Sequence, residues 1–147
     1  MSINQRINQS LNQRIEEIRN DLLLFDDDLE KYEYIIDLGK QLEKLDTVHE
    51  KDENLVQGCT SKVWLVCEQN EKKLIFQANS NAKIVKGLVF ILITVFSNLT
   101  PQEILHTDIN ILKQLNLTEI ITPNRQSGVT GMLKRIKEYA LAFDKKG

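Results

Sequence analysis

"KVWLVCEQNEKKLIFQANSNAKIVKGLVFILITVF", residues 62–96, is the stretch on which the fold turns. KVWLVCE (62–68) and KLIFQA (73–78) are short runs rich in β-branched and aromatic residues. The polar QNEK (69–72) between them predicts a β-hairpin with a loop of about three to five residues. Asn79, Ser80 and Asn81 are all residue types that cap helices. The run behind them is apolar on nearly every face, the composition of a helix buried at the centre of a fold. From Ile84 to Phe96 it covers only about 13 residues and contains Lys86, too short to span a bilayer.

Upstream of the hairpin, Ile3, Ile7, Leu11, Ile15, Ile18 and Leu22 recur three or four apart, one face of an amphipathic helix. The other faces carry Asn, Gln, Arg and Glu and are expected to meet water. Asp26-Asp27-Asp28 places negative charge at the start of a second helix, where the dipole favours it. That helix carries Leu29, Tyr32, Ile35 and Ile36, with Gly39 as its C-terminal stop. A metal site at the Asp triplet is disfavoured: three consecutive side chains diverge, and no further oxygen ligands follow at calcium-loop spacing. Residues 40–58 are polar and irregular. Downstream, Thr100-Pro101-Gln102-Glu103 has the cap, the proline and the returning glutamate of a helix start, and Asp108 reads as another cap. Val129, Met132, Leu133, Ile136, Ala140 and Phe143 mark one face of a C-terminal helix. Helices and strands thus come in blocks, which predicts an α+β fold: a small antiparallel β-sheet packed against several helices. No linker or repeat divides the chain, so residues 1–147 are expected to form one domain, with residues 1–20 a helical N-terminal extension prone to fray.

Composition narrows the function. With 19 Lys and Arg against 21 Asp and Glu, the net charge is −2, and the positive residues are scattered along the sequence. Nucleic-acid binding is therefore not expected. No secretory leader or membrane span is visible, and two cysteines make no disulfide framework, so a cytoplasmic, reducing setting is expected. The six glycines are dispersed and form no phosphate-binding loop. His49 and His106 have no His or Cys at metal-ligand spacing and read as surface or helix-end residues.

Chemistry is left to the thiols. Cys67 alternates with Val63 and Leu65 on one strand face and reads as a small core residue. A Cys59–Cys67 disulfide is unattractive, because eight residues of strand cover about 26 Å whereas bridged Cα atoms lie within about 7 Å. Cys59 follows Gln57-Gly58 in the loop ahead of the first strand. Gly58 permits a tight or positive-φ backbone, and Leu55, Val56 and Trp64 offer apolar surface against which the sulfur is expected to point inward. Local residues alone leave Cys59 open between a reactive and a structural role.

Across nearly the whole chain after residue 20, the sequence resembles the SufE family, sulfur acceptors that serve cysteine desulfurases. The matching stretches are YEYIIDLGKQLEKL (32–45), ENLVQGCTSKVWLV (53–66), SNAKIVKGLVFIL (80–92), LTPQEIL (99–105) and ITPNRQSGVTGMLKRIK (121–137). The segment V-x-G-C-x-S-x-V-W is highly specific to these proteins, and I-V-K-G and R-x-x-G fall at the right distances. The resemblance implies a fold shared with IscU-type scaffolds, a small antiparallel sheet packed by helices on one side. It implies that Cys59 takes persulfide sulfur from a pyridoxal-phosphate cysteine desulfurase (SufS/CsdA-like), stimulates that enzyme, and passes sulfur to an iron–sulfur scaffold (SufBCD-like). No cofactor or metal held by the chain itself is implied, no independent enzymatic turnover, no nucleic-acid or membrane partner, and at most a weak homodimer. Arg125 matches the arginine of the R-x-x-G segment, implying a partner for the Cys59 anion or for a desulfurase carboxylate; anchoring of the last helix is the alternative. Gln57, Gly58 and Thr60 would shape the loop. Lys86 matches the V-K-G lysine, whose stem can pack while its ammonium reaches water. The chain departs from the family's G-D-S-D-A at Ala78-Asn79-Ser80-Asn81-Ala82, where two aspartates become amides, and has Thr60 and Val129 where Gln and Leu are usual. Two rivals to the carrier reading remain: a cluster scaffold, for which soft ligands are too few, and an allosteric desulfurase activator with a structural Cys59.

Overall fold

A computed structural model describes residues 10–107 and 110–146; Ile3, Ile7 and Asp108, and the roles read for them, lie outside this range. Helix α1 (Leu11–Leu23) starts at a reciprocal capping box between Ser10 and Gln13, and buries Ile15, Ile18 and Leu22 as their periodicity predicts. Arg14 departs from the polar face expected of it. It is 1% exposed, and its guanidinium donates to the carbonyl oxygens of Val95, at 2.8 Å, and Ser97. Burial lowers its pKa, with Glu103 acting in the opposite sense. Arg14, on the buried face of an amphipathic helix, thus ties off carbonyls that a helix end leaves without intrahelical partners.

Helix α2 (Asp28–Gly39) is capped by Asp27, whose carboxylate accepts the Glu30 N–H at 2.7 Å, with Asp28 in the first turn. Gly39 is not the left-handed stop that its position suggests, for the chain leaves the helix through Lys40 in a right-handed conformation. Its small size serves packing instead. A Cβ at Gly39 would lie 2.7 Å from the Gly87 nitrogen, and one at Gly87 would overlap the Ile35 carbonyl. Two helix backbones touch there.

Strands β1 (Val63–Asn70) and β2 (Lys73–Ser80) pair antiparallel, from Val63↔Ser80 to Asn70↔Lys73. The connection is shorter than predicted. Only Glu71 (φ 51°) and Lys72 (φ 71°) lie between the strands, both left-handed, as a two-residue type I′ turn requires. Polar Gln69 and Asn70, expected in the loop, continue the ladder instead. The second strand also runs past its expected end: Asn79 and Ser80 belong to it, so neither caps the next helix. Ser80 Oγ donates to the Lys62 carbonyl at 2.8 Å, and Asn79 Nδ2 donates to Glu50 Oε1 at 2.8 Å.

Helix α3 (Lys83–Phe96) follows from an Ala82 cap that supplies no side-chain hydrogen bond. Ile84, Val85 and every residue from Gly87 to Phe96 are buried, which is the central helix the composition predicts. It packs between the sheet and α2, while α1 crosses its C-terminal half. Helix α4 (Pro101–Leu105) carries the predicted Thr100–Glu103 capping box, and α5 (Ile111–Gln114) is a single turn capped by Asn110. Helix α6 (Pro123–Lys146) begins with proline after Thr122, whose hydroxyl accepts the Arg125 N–H at 3.4 Å. It turns Val129, Met132, Ile136 and Ala140 into the core. The architecture is α+β, a two-stranded antiparallel sheet packed by helices.

Candidate functional site

Residues 57–62 form the loop between the Val56 N–H···O Val63 bond (2.9 Å) and the start of β1. Gly58 sits at φ 88°, a conformation that L side chains rarely adopt, so glycine is required there. The loop lies along α6. Gly131 has the Gln57 carbonyl where a Cβ would stand, and a Cβ on Gly128 would lie 3.4 Å from Cys59 Sγ. These glycines are three apart and share one helix face. Their bareness lets the loop backbone touch the helix.

Cys59 is half-buried, and its thiol donates to the Gly128 carbonyl at 3.5 Å. Burial raises its pKa, because a thiolate loses more solvation than a thiol on leaving water. The resting side chain is therefore a protonated thiol near neutral pH. Beside it is a cleft of about 10 Å³, close to the least space that holds one water. Val85 and Leu88 of α3 and Met132 of α6 make its apolar side, and Arg125 its cationic one. The sulfur does face inward, but the shelter comes from these helices. Leu55, Val56 and Trp64, expected to supply it, do not line the cleft. Leu55 and Trp64 instead form a bridge at the sheet edge, and Val56 packs toward Gly131.

Arg125, far away in sequence, is thus brought to the cleft of Cys59. Its guanidinium donates to Tyr32 Oη at 3.0 Å and lies 6.0 Å from the centroid of that ring. Sequence periodicity marks Tyr32 only as a core-facing residue of α2; in the fold it fixes where the guanidinium points. Thr60 lines the cleft but makes no side-chain hydrogen bond among the described residues, and Gln57 contributes its carbonyl while its side chain is exposed. Cys67, on β1, packs partly buried against the core, and burial with the neighbouring Glu68 pushes its thiol up to about 12.

The segments flanking the loop are stapled to α6 as well. Arg135 donates to the Glu53 carbonyl at 2.9 Å, and Tyr139 Oη donates to the Leu65 carbonyl at 3.0 Å. The spacing of Gly128 and Gly131 is a legible signal for this helix as a docking platform; the carbonyls it receives are not.

Comparison with known proteins decides the family. The SufE Fe-S metabolism associated domain matches residues 16–140. The chain belongs to the SufE family. The solution structure of a hypothetical protein from Thermus thermophilus superposes with a TM-score of 0.71 over 90% of this chain and 93% of that one, at 16% identity. At that identity the likeness concerns the fold. SufE membership ties the chain to iron–sulfur metabolism. Among the described residues no helix is long and apolar enough to cross a membrane.

Proposed function

We propose that this SufE-family chain is a sulfur carrier that works through Cys59. The cysteine of a partner desulfurase carries a persulfide, R–S–SH. The Cys59 thiolate attacks the terminal sulfur, a new S–S bond forms to Cys59, and the S–S bond of the partner's persulfide breaks with R–S⁻ leaving. The proton lost by Cys59 balances the one taken up by the partner, giving R–SH and Cys59–S–SH with no net redox change. Transfer of this kind follows thiol–disulfide exchange and requires a thiolate and access. The carrier then hands the sulfur to an iron–sulfur assembly partner, and the chain has no turnover of its own.

The observation that carries this reading is the cleft beside Cys59 Sγ. It is a small space of about 10 Å³ with Val85, Leu88 and Met132 on its apolar side and Arg125 also in its lining. Apolar walls would keep a bound sulfane sulfur from reductants and oxidants. A guanidinium would stabilise the more acidic persulfide anion.

One observation favours the activator alternative. The thiol is bonded to a carbonyl and burial favours its neutral form, which makes it a poor nucleophile as it stands. The carrier reading therefore requires the loop to leave Gly128 when a desulfurase docks. Incubating the protein with a desulfurase and cysteine, without reductant, tests it by mass spectrometry. One added sulfur on the Cys59 peptide is expected, and its absence beside an active desulfurase sinks the carrier reading. A Cys59→Ser variant that still stimulates the desulfurase would favour the activator.

A further inference from the structure

The lysines that look scattered along the chain do not all stay apart in the fold. Lys40 and Lys44, at and beyond the end of α2, line one groove with Lys83 and Lys86 from the first turn of α3. Its volume is about 450 Å³. Asn79 also lines it and is already bonded to Glu50; Glu43 is the one carboxylate of the lining. Lys40 pairs with Asp37 at 3.1 Å. Lys44, Lys83 and Lys86 make no ion pair among the described residues.

Three unpaired ammonium groups around one concavity repel one another. Two of them stand on the first turn of a 14-residue helix, which has no acidic residue there and no side-chain cap. The helix dipole already presents positive potential at that end. An anion in the groove would meet both the lysine ammonium groups and this positive helix end.

The chemistry favours phosphate over a protein's carboxylates. Lysine binds phosphate as a point charge, whereas planar carboxylates are met best by the arginine fork. Lysine is also depleted at protein interfaces, which are enriched in arginine and aromatics; no arginine or aromatic residue lines this groove. Its volume lies within the range of small-molecule sites, roughly 300–1,000 Å³. We propose that this groove binds a phosphate-bearing small molecule with at least two negative charges. None of the four lysines lines the Cys59 cleft, so the proposal stands or falls apart from the sulfur-carrier reading.

The test is a titration of the ¹⁵N-labelled full chain with pyrophosphate at low ionic strength, followed by amide chemical shifts. Saturable shifts at Asn79 and Lys83–Gly87 are expected, with orthophosphate binding more weakly. Lys83→Gln with Lys86→Gln should weaken binding about tenfold or more, as should the opposite-wall pair Lys40→Gln with Lys44→Gln. Lys134→Gln with Lys137→Gln, on α6, should leave it unchanged. Thermal melts establish that each variant is folded. Non-saturating shifts, shifts spread equally over α6, or affinity indifferent to both groove pairs overturn the proposal. A short polyglutamate peptide that displaces pyrophosphate from the same amides at lower concentration overturns it too, by making the groove a docking site for an acidic protein segment.

Discussion

Gly131 offers the sharpest perturbation of the cysteine loop. In Gly131→Ala the new methyl falls on the Gln57 carbonyl oxygen, and backbone cannot move aside as a flexible side-chain tip can. Overpacking of this kind costs about 1–3 kcal/mol. Alanine also favours the helix over glycine by about 0.8–1.0 kcal/mol, so global stability should change by less than the full clash. The clash weighs on one equilibrium, the docking of residues 57–62 against α6. A shift of about 1–3 kcal/mol there is about 5- to 150-fold in the population of the undocked loop. If Cys59 reacts only when undocked, its alkylation by iodoacetamide should accelerate by that factor. Cys67 in the same molecule, its thiol pushed up to about 12, reports any general unfolding when both sites are followed by mass spectrometry. Gly128→Ala is the contrast: its methyl would lie 3.4 Å from Cys59 Sγ, close to ordinary contact, and should leave the rate unchanged or lower it. Unaltered Cys59 kinetics in Gly131→Ala, or equal acceleration at Cys67, would refute the docking of this loop as the gate on its thiol.

Arg14→Met keeps much of the buried volume but strands the Val95 and Ser97 carbonyls; urea unfolding should show a loss of about 1.5–3 kcal/mol, and a loss under about 0.5 kcal/mol would mean that water replaces the guanidinium. Raised thiol pKa values make folding pH-dependent in one direction. The stabilising contribution of the neutral buried thiols is complete below the unfolded value of about 8.5 and is lost as pH rises through the folded values. Stability should therefore fall more steeply between neutral and strongly alkaline pH than in a Cys67→Ala variant, where the larger of the two shifts is gone; parallel pH profiles would contradict this. Tyr32→Phe removes the hydroxyl that holds Arg125, so melting should change by the worth of one hydrogen bond, about 0.5–1.5 kcal/mol, while sulfur acceptance by Cys59 falls. Acceptance at the wild-type rate would leave Arg125 as a helix anchor.

The periodic apolar stripes of α1 and α6, the all-round apolar run of α3, the alternation along the first strand and the Thr100–Glu103 box were legible because each is a local pattern with one physical meaning. Where the sequence misled, a distant partner had taken the residue. Arg14 looks like a surface residue until the C-terminal carbonyls of α3 arrive beside it, and Gly39 does end α2 but without the left-handed turn its type suggests, its bareness serving contact with Gly87 instead. Asn79 and Ser80 have cap chemistry, yet pairing with Trp64 and Val63 holds them in the strand. The same holds at the site. Gly58 announced its own backbone, and Cys59 stood out by its setting. The walls of the cleft, the Tyr32 clasp on Arg125 and the four-lysine groove are all assembled from separate elements of the chain, which no local pattern encodes.

The staples on the cysteine loop also set a length. Residues 57–62 are six, so their contour is about 20 Å at 3.3–3.6 Å per residue. Their ends are tied together by the Val56–Val63 bond, so the apex can swing out by only about half of that contour, roughly 10 Å. Cys59 is thus a hook on a short leash. If Cys59 carries sulfur as proposed, a donor or acceptor has to bring its own reactive atom to within that radius of the protein surface, and a donor cysteine recessed deeper than this needs a mobile loop of its own.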